Sequence, residues 1–239
     1  MHRRSFIAAA CCAVCAGRAY AGSLIEPHMH FAIAQGDLAV AVTLDACMGE
    51  TDARILGALV DNGIAATIFA TRRWLDRNPV AIRVLRAHPE LFAVENHGAQ
   101  HVPAVIGTEK PYGLMPAGTA SAVFSEVMGG SQAVTQAFGL APKWYRDASA
   151  LYTRDAMDLI GTMGFRIAGF SLNGDIGASV SAVVAAARIS AARSGDVIIS
   201  HINQPTRPAG AGVVAGLLAL KAKGFRFVHL DDVAMAGDG

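Results

Sequence analysis

Cysteine is scarce in this chain and poorly placed for cross-links. Of the four cysteines, Cys11, Cys12 and Cys15 crowd the N-terminus, and only Cys47 lies in the remainder. Once the first segment is removed, an internal disulfide is excluded. Charge is sparse too: 16% of the 239 residues are charged and the formal net charge is +1. Bulk electrostatics therefore point to no nucleic-acid or anionic-membrane partner. No G-x-G-x-x-G turn follows the first apolar run, which argues against a dinucleotide-binding sheet. No H-E-x-x-H is present to make a metalloprotease, and no internal repeat is visible. What the chain has in quantity is apolar side chain, 53% of residues. That composition excludes disorder and provides for a substantial core.

The opening residues, MHRRSFIAAACCAVCAGRAYAGS, have the layout of an export signal. His2-Arg3-Arg4 is a basic start, Phe6–Gly17 an apolar stretch and Ala19-Tyr20-Ala21 a cleavage site. The stretch is too short to span a bilayer comfortably. Arg3-Arg4-Ser5-Phe6-Ile7 suits a twin-arginine signal as well as an ordinary secretory start. The expectation is a signal peptide over residues 1–21 and one domain over residues 22–239. No transmembrane segment would remain, and the protein would be periplasmic or secreted, its oligomeric state left open.

From Asp37 onward, short apolar runs alternate with helical patterns. Strands are expected at Leu38–Leu44, Ala65–Ala70, Phe92–Val94, Trp144–Arg146, Arg166–Ser171, Asp196–Ser200 and Phe225–Leu230. Helices are expected at Asp52–Asn62, Pro79–Ala87, Ala120–Phe138 (interrupted at Gly129-Gly130), Thr153–Met163, Ser179–Arg193 and Ala211–Lys223. The Gly- and Pro-rich segment Val102–Thr119 reads as a loop over one end of the fold. Strands apolar on both faces and separated by helices imply α/β architecture. The expected form is a distorted (β/α) barrel of about seven parallel strands.

In such folds chemistry collects beyond the carboxyl ends of the strands. Six polar residues occupy those positions: Asp45, His97, His101, Arg146, Asp175 and His201. His97 and His101 have the spacing of two imidazoles able to hold one ion. His201 is either a half-buried strand-end histidine or a general acid. Arg146 either forms a surface pair with Asp147 or Asp155, or is a fixed cation that orients a carboxylate. Plainer readings suit the rest. His28 and His30 belong to a polar leader, His229 is structural, and Arg72-Arg73, Lys221 and Lys223 lie on solvated helix faces. Trp74 and Trp144 are packing residues.

Those residues resemble the motifs of the polysaccharide deacetylase family with the NodB-type domain (carbohydrate esterase family 4). The resemblance runs from about Ala39 to Val233. VTLDA stands at the family's T-F-D-D motif, NHGAQH at H-S/T-x-x-H, and WYRDASALY in part at R-x-P-Y. SLNGDIG stands at the Asp-Trp motif and VIISH at the closing L-x-H. The resemblance implies that Asp45 is the catalytic base and His201 the general acid. Arg146 would orient the base, Asp175 would tune His201, and Ile199 would line the acetyl pocket. It implies a divalent metal, zinc by preference, on His97 and His101, and an N-acetylated exported or cell-wall polysaccharide as substrate. This sequence departs in three places. Ala46 replaces a ligand Asp, no Pro follows Arg146, and Ile176 replaces the Trp. The expected third ligand is Asp45, then Glu50 or Asp52, then Cys47. Ala46 equally motivates a catalytically silent glycan binder, or a hydrolase of another non-peptide C–N bond.

Overall fold

The computed structural model describes residues 23–236. The expected signal peptide lies outside the described residues. Eight strands form one parallel sheet: β1 (Ala39–Ala46), β2 (Ala66–Ala70), β3 (Phe92–Asn96), β4 (Trp144–Tyr145), β5 (Arg166–Ile167), β6 (Leu172–Asn173), β7 (Val197–His201) and β8 (Arg226–Val228). Their spatial order is β5-β4-β3-β2-β1-β7-β6, with β8 beside β1. Helices α1 (Ala53–Asn62), α2 (Arg72–Arg77), α3 (Pro79–Ala87), α4 (Ala120–Phe138), α5 (Arg154–Thr162), α6 (Ala182–Ser190) and α7 (Ala209–Ala222) pack outside it. Asp52, Thr71, Thr119 and Ser181 begin α1, α2, α4 and α6 by accepting a hydrogen bond from a first-turn N–H. Gly63 and Gly139 end α1 and α4 in the left-handed conformation.

Strand alternation divides β1 between two cores. Val40, Val42, Leu44 and Ala46 pack with Ile55, Leu59, Leu217 and Leu220 under the helices. Ala39 and Ala41 face inward with Phe69, Trp144, Val197 and Leu230. Each large aliphatic side chain buried in this way contributes about 1.5–3 kcal/mol. Continuing the inward row past Ala41 gives Thr43 and Asp45. One edge of β1 pairs with β7 along Ala41–Asp45, while the other is shared by β8 at Ala39–Ala41 and β2 at Thr43–Ala46.

Two expectations need correction. Within the strand expected at Arg166–Ser171, only Arg166–Ile167 forms a strand (β5), and the next strand, β6, begins at Leu172 at the opposite end of the sheet. Residues 168–171 cross the gap between those ends, so the sheet curls into an incomplete barrel closed by covalent chain. The N-terminal segment covers the crossing, with bridges Ile25–Tyr152, His28–Phe170, His30–Asp196 and Phe31–Met235. Gly169 is needed there because a Cβ would meet the Pro27 carbonyl group, its carbon at 2.7 Å. The leader is therefore not merely polar: Met29 and Phe31 are core residues, while His28 and His30 stay exposed.

The second correction concerns α4, which is continuous through Gly129-Gly130. A Cβ on Gly130 would meet Asn96 Oδ1, and would lie 2.6 Å from the Gly98 carbonyl carbon. The glycine permits a close approach of helix to loop rather than breaking the helix.

Candidate active site

The inward row of β1 delivers Asp45 to the mouth of the barrel, and the β1–β7 register sets His201 directly beside it. Asp45 is buried, and its Oδ1 lies 3.0 Å from Arg146 Nη1. Arg146 is itself fully buried, which removes the reading of a surface pair with Asp147 or Asp155. Its guanidinium donates to Thr43 Oγ1 (2.7 Å), to the Ala168 carbonyl (3.3 Å) and to the Gly169 carbonyl (2.9 Å), and it stacks on the Phe69 ring at 4.3 Å. The segment that closes the barrel thus supplies the carbonyls that fix the cation facing Asp45. Burial pushes the Asp45 carboxyl up, but the charges of Arg146, His97 and His201 outweigh it and hold the group below the usual carboxylate range.

On the other side of Asp45, Asp175 fixes His201 twice. Its Oδ2 accepts from the His201 backbone N–H at 2.7 Å, and its Oδ1 lies 2.9 Å from Nδ1. A proton on Nδ1 donates to that carboxylate, leaving Nε2 as the ring nitrogen free for chemistry. Burial pulls the His201 pKa down, but hydrogen bonds to Asp175 and Cys47 outweigh it and raise the pKa well above the ordinary value. Asp175 opens an unusual turn in which Ile176 (φ 48°), Gly177 (φ 65°) and Ala178 (φ 56°) are all left-handed. Such a conformation is costly for a β-branched residue. Ile176, Tyr112 and Ala150, three of the five described non-glycine residues with positive φ, all line the cleft in front of Asp45 and His201. This clustering of strained backbone fits a functional site.

His97 and His101 meet below Asp45 with ring centroids 5.0 Å apart. His97 Nδ1 donates to the Arg146 carbonyl at 2.9 Å, which turns Nε2 toward Cys47 Sγ at 3.5 Å and Asp45 Oδ2 at 3.8 Å. Burial lowers the His97 pKa, but the Asp45 charge and Cys47 outweigh it, and the ring is pushed up to about 9. The Cys47 thiol is raised by burial, yet contacts with His101, His201 and His97 bring it well below the ordinary thiol value. Sγ and one nitrogen from each of His97 and His101 lie within 4.8 Å of one another, the one such His, Cys, Asp and Glu cluster among the described residues.

The six strand-end residues singled out from sequence therefore converge on one layer. Of the residues suggested as a third ligand, Asp45, ranked first, approaches His97 at 3.8 Å but lies outside the cluster, Glu50 is exposed and lines a separate groove, and Asp52 caps α1 and pairs with Arg54 at 2.6 Å. Cys47, ranked last from sequence, is the one inside the cluster.

Sequence reasoning missed Glu126. This buried carboxylate on α4 accepts from the backbone N–H groups of Gln100 (2.8 Å) and Val102 (3.2 Å), clamping the loop that carries His101. A signal existed: Glu126 is the one charged residue between Ala120 and Phe138.

The cleft over Asp45 and His201 has a volume of about 270 Å³, with Ile199 and Phe170 in its lining and exposed Tyr112 and Ile176 at its rim. A larger groove of about 620 Å³, lined by Arg72, Arg83 and Arg86, holds none of these groups. Trp74 is a core residue and Trp144 is buried against Asp231 and Arg166, as packing roles require. No helix among the described residues is long and apolar enough to cross a membrane.

A family model described as polysaccharide deacetylase matches residues 33–168. A solved peptidoglycan N-acetylglucosamine deacetylase is similar at 19% identity and TM-score 0.69, over 87% of this chain and 91% of that one. A family 4 carbohydrate esterase from Streptomyces lividans, solved with acetate, is similar at 21% identity and TM-score 0.63, over 84% and 98%. The family 4 pseudoenzyme BA3943 from Bacillus anthracis is similar at 15% identity and TM-score 0.64, over 83% and 66%. No curated protein sequence matches.

Proposed function

The chain belongs to the polysaccharide deacetylase family, and from that premise we propose that it is an exported hydrolase that removes acetyl groups from an N-acetylated polysaccharide. The observation carrying this reading is a buried base and an acid side by side on adjacent strands. Asp45 is held by Arg146 at 3.0 Å and His201 by Asp175 at 2.9 Å, and both line one cleft.

Asp45 stays ionised and takes a proton from water as the water oxygen bonds to the acetamide carbon. His201, protonated through its support by Asp175, gives a proton from Nε2 to the departing nitrogen as the C–N bond breaks. The products are acetate and a free amine. Arg146 keeps Asp45 in one orientation, and its three other acceptors keep the guanidinium from moving with substrate.

The family's metal fits the residues present. His101 Nε2 is buried without any hydrogen-bond partner, and the Arg146 carbonyl holds His97 Nδ1 so that its Nε2 is turned toward Cys47 and Asp45. His97 and His101 would hold a divalent ion, with a third donor from the segment after β1. Such an ion supplies Lewis-acid polarisation of the acetamide carbonyl.

A second reading, a silent glycan-binding relative, draws support from Ala46 and from the likeness to a pseudoenzyme. Retention of both supported acid–base groups weighs against it, since binding alone needs neither. Acetate release from a panel of N-acetylated glycans separates the two. The hydrolase releases acetate and loses that activity on Asp45→Asn or His201→Ala. The binder retains glycan without turnover and is indifferent to chelator. Export to the periplasm or medium rests on the leader sequence, and signal-peptide cleavage in cells tests it.

A further inference from the structure

The cluster beneath Asp45 has a chemical character that Ala46 by itself would not suggest. One step past the end of β1 at Ala46, the chain turns Cys47 toward the two histidines. Zinc bonds of about 2.3 Å to sulfur and about 2.0–2.1 Å to nitrogen, at tetrahedral angles, separate sulfur from nitrogen by about 3.5–3.6 Å. The Cys47 Sγ to His97 Nε2 distance is 3.5 Å. Asp45 lies at 3.8 Å from His97 but is not part of the group of mutually close donors, and its other oxygen is committed to Arg146. His101 Nε2 has no hydrogen-bond partner, and one nitrogen of each histidine lies with Cys47 Sγ in a group whose members are all within 4.8 Å of one another.

We propose that Cys47 is the third protein ligand, as a thiolate, making this a Cys-His-His centre selective for a thiophilic ion of the zinc class. The inference rests on the metal-assisted reading above. Binding exchanges the Cys47 S–H proton for the metal and releases that proton to solvent. A sulfur donor disfavours magnesium, calcium and manganese, which prefer carboxylate, carbonyl and water oxygens. It also separates two jobs that a short carboxylate set would combine: Cys47 binds the ion and Asp45 remains free to accept a proton.

The experiment uses the full chain with Cys11, Cys12 and Cys15 replaced by serine, leaving Cys47 as its one thiol, stripped of metal and loaded with cobalt(II) alone. A near-ultraviolet sulfur-to-cobalt charge-transfer band should appear with one equivalent of cobalt. Cys47→Ser should abolish the band and weaken zinc binding by more than the roughly 10–100-fold typical of losing an outer-shell partner. Asp45→Asn should retain both cobalt and the band. Stoichiometric cobalt without the band overturns the thiolate assignment while leaving metal-assisted hydrolysis standing. Loss of cobalt on Asp45→Asn, with circular dichroism unchanged, overturns the separation of roles. Failure of the folded chain to bind either cobalt or zinc overturns both this inference and the metal-assisted reading beneath it.

Discussion

Gly130 offers a sharp test of how α4 supports the site. In an open helix, replacing Gly by Ala stabilises by about 0.5–1 kcal/mol, because Gly surrenders more backbone freedom on folding. At Gly130 the added Cβ meets Asn96 Oδ1 and lies 2.6 and 2.7 Å from backbone atoms of Gly98, whereas real Cβ contacts essentially never fall under 3.0 Å. Neither neighbour yields easily. Asn96 is held by hydrogen bonds to the Val127 carbonyl and the Gly98 N–H, and Gly98 precedes a loop clamped by Glu126. Overpacking of this kind costs about 1–3 kcal/mol, which exceeds the propensity gain, and displacing the Asn96 bonds adds about 1 kcal/mol. The expected net loss for Gly130→Ala is about 1–3 kcal/mol, or roughly 2–12 °C in Tm for a chain of this size. Because the displaced loop carries His97 and His101, zinc affinity should fall as well. Gly161 in α5 is the control, since nothing lies within 4 Å of its Cβ position; Gly161→Ala should gain about 0.5–1 kcal/mol. Urea titrations of both variants decide the matter. Equal stability of the two would refute the close-approach reasoning.

Two further predictions concern buried charge. Arg146→Gln leaves the Asp45 carboxylate without its buried partner and should destabilise by about 3–5 kcal/mol; the double variant with Asp45→Asn should lose less than the sum of the singles, and additive losses would show that the pair is not coupled. Glu95 is buried on β3, and desolvation, only partly offset by the N–H groups of Trp144 and Lys143, raises its pKa from 4.5 to about 7. Nearby Asp231 pushes the same way and the Lys143 ammonium opposes it. The folded state therefore binds the Glu95 proton more tightly than the unfolded chain does. That stabilisation is fully present below pH 4.5 and is lost as pH rises to about 7, up to about 3 kcal/mol in all. Glu95→Gln should flatten this dependence in unfolding midpoints measured between pH 4.5 and 8, and an unchanged slope would remove Glu95 as its source.

Much of the site was legible in the sequence because parallel α/β folds place chemistry at strand ends. Asp45, His97, Arg146, Asp175 and His201 each lie at or just beyond the C-terminal end of a strand. Elements went wrong where one local signal has two tertiary meanings. The apolar run Arg166–Ser171 suited a single strand, yet only Arg166–Ile167 pairs, with β4 at one edge, before the chain crosses to β7 at the other edge with Leu172–Asn173. Gly129-Gly130 suited a helix break, yet served contact with the loop after β3.

The amino-acid order by itself determined the alternation of strand and helix, and with it the six residues that gather at one end of the barrel. Only the tertiary structure decided which partners those residues meet. That Arg146 turns inward depends on carbonyls from residues 168 and 169, more than twenty positions along the chain. That Cys47, rather than Glu50 or Asp52, joins the histidines depends on α1 starting at Ala53 with Asp52 as its cap. Local propensity reaches only a few residues, whereas a binding or catalytic centre is assembled from the ends of strands far apart in sequence.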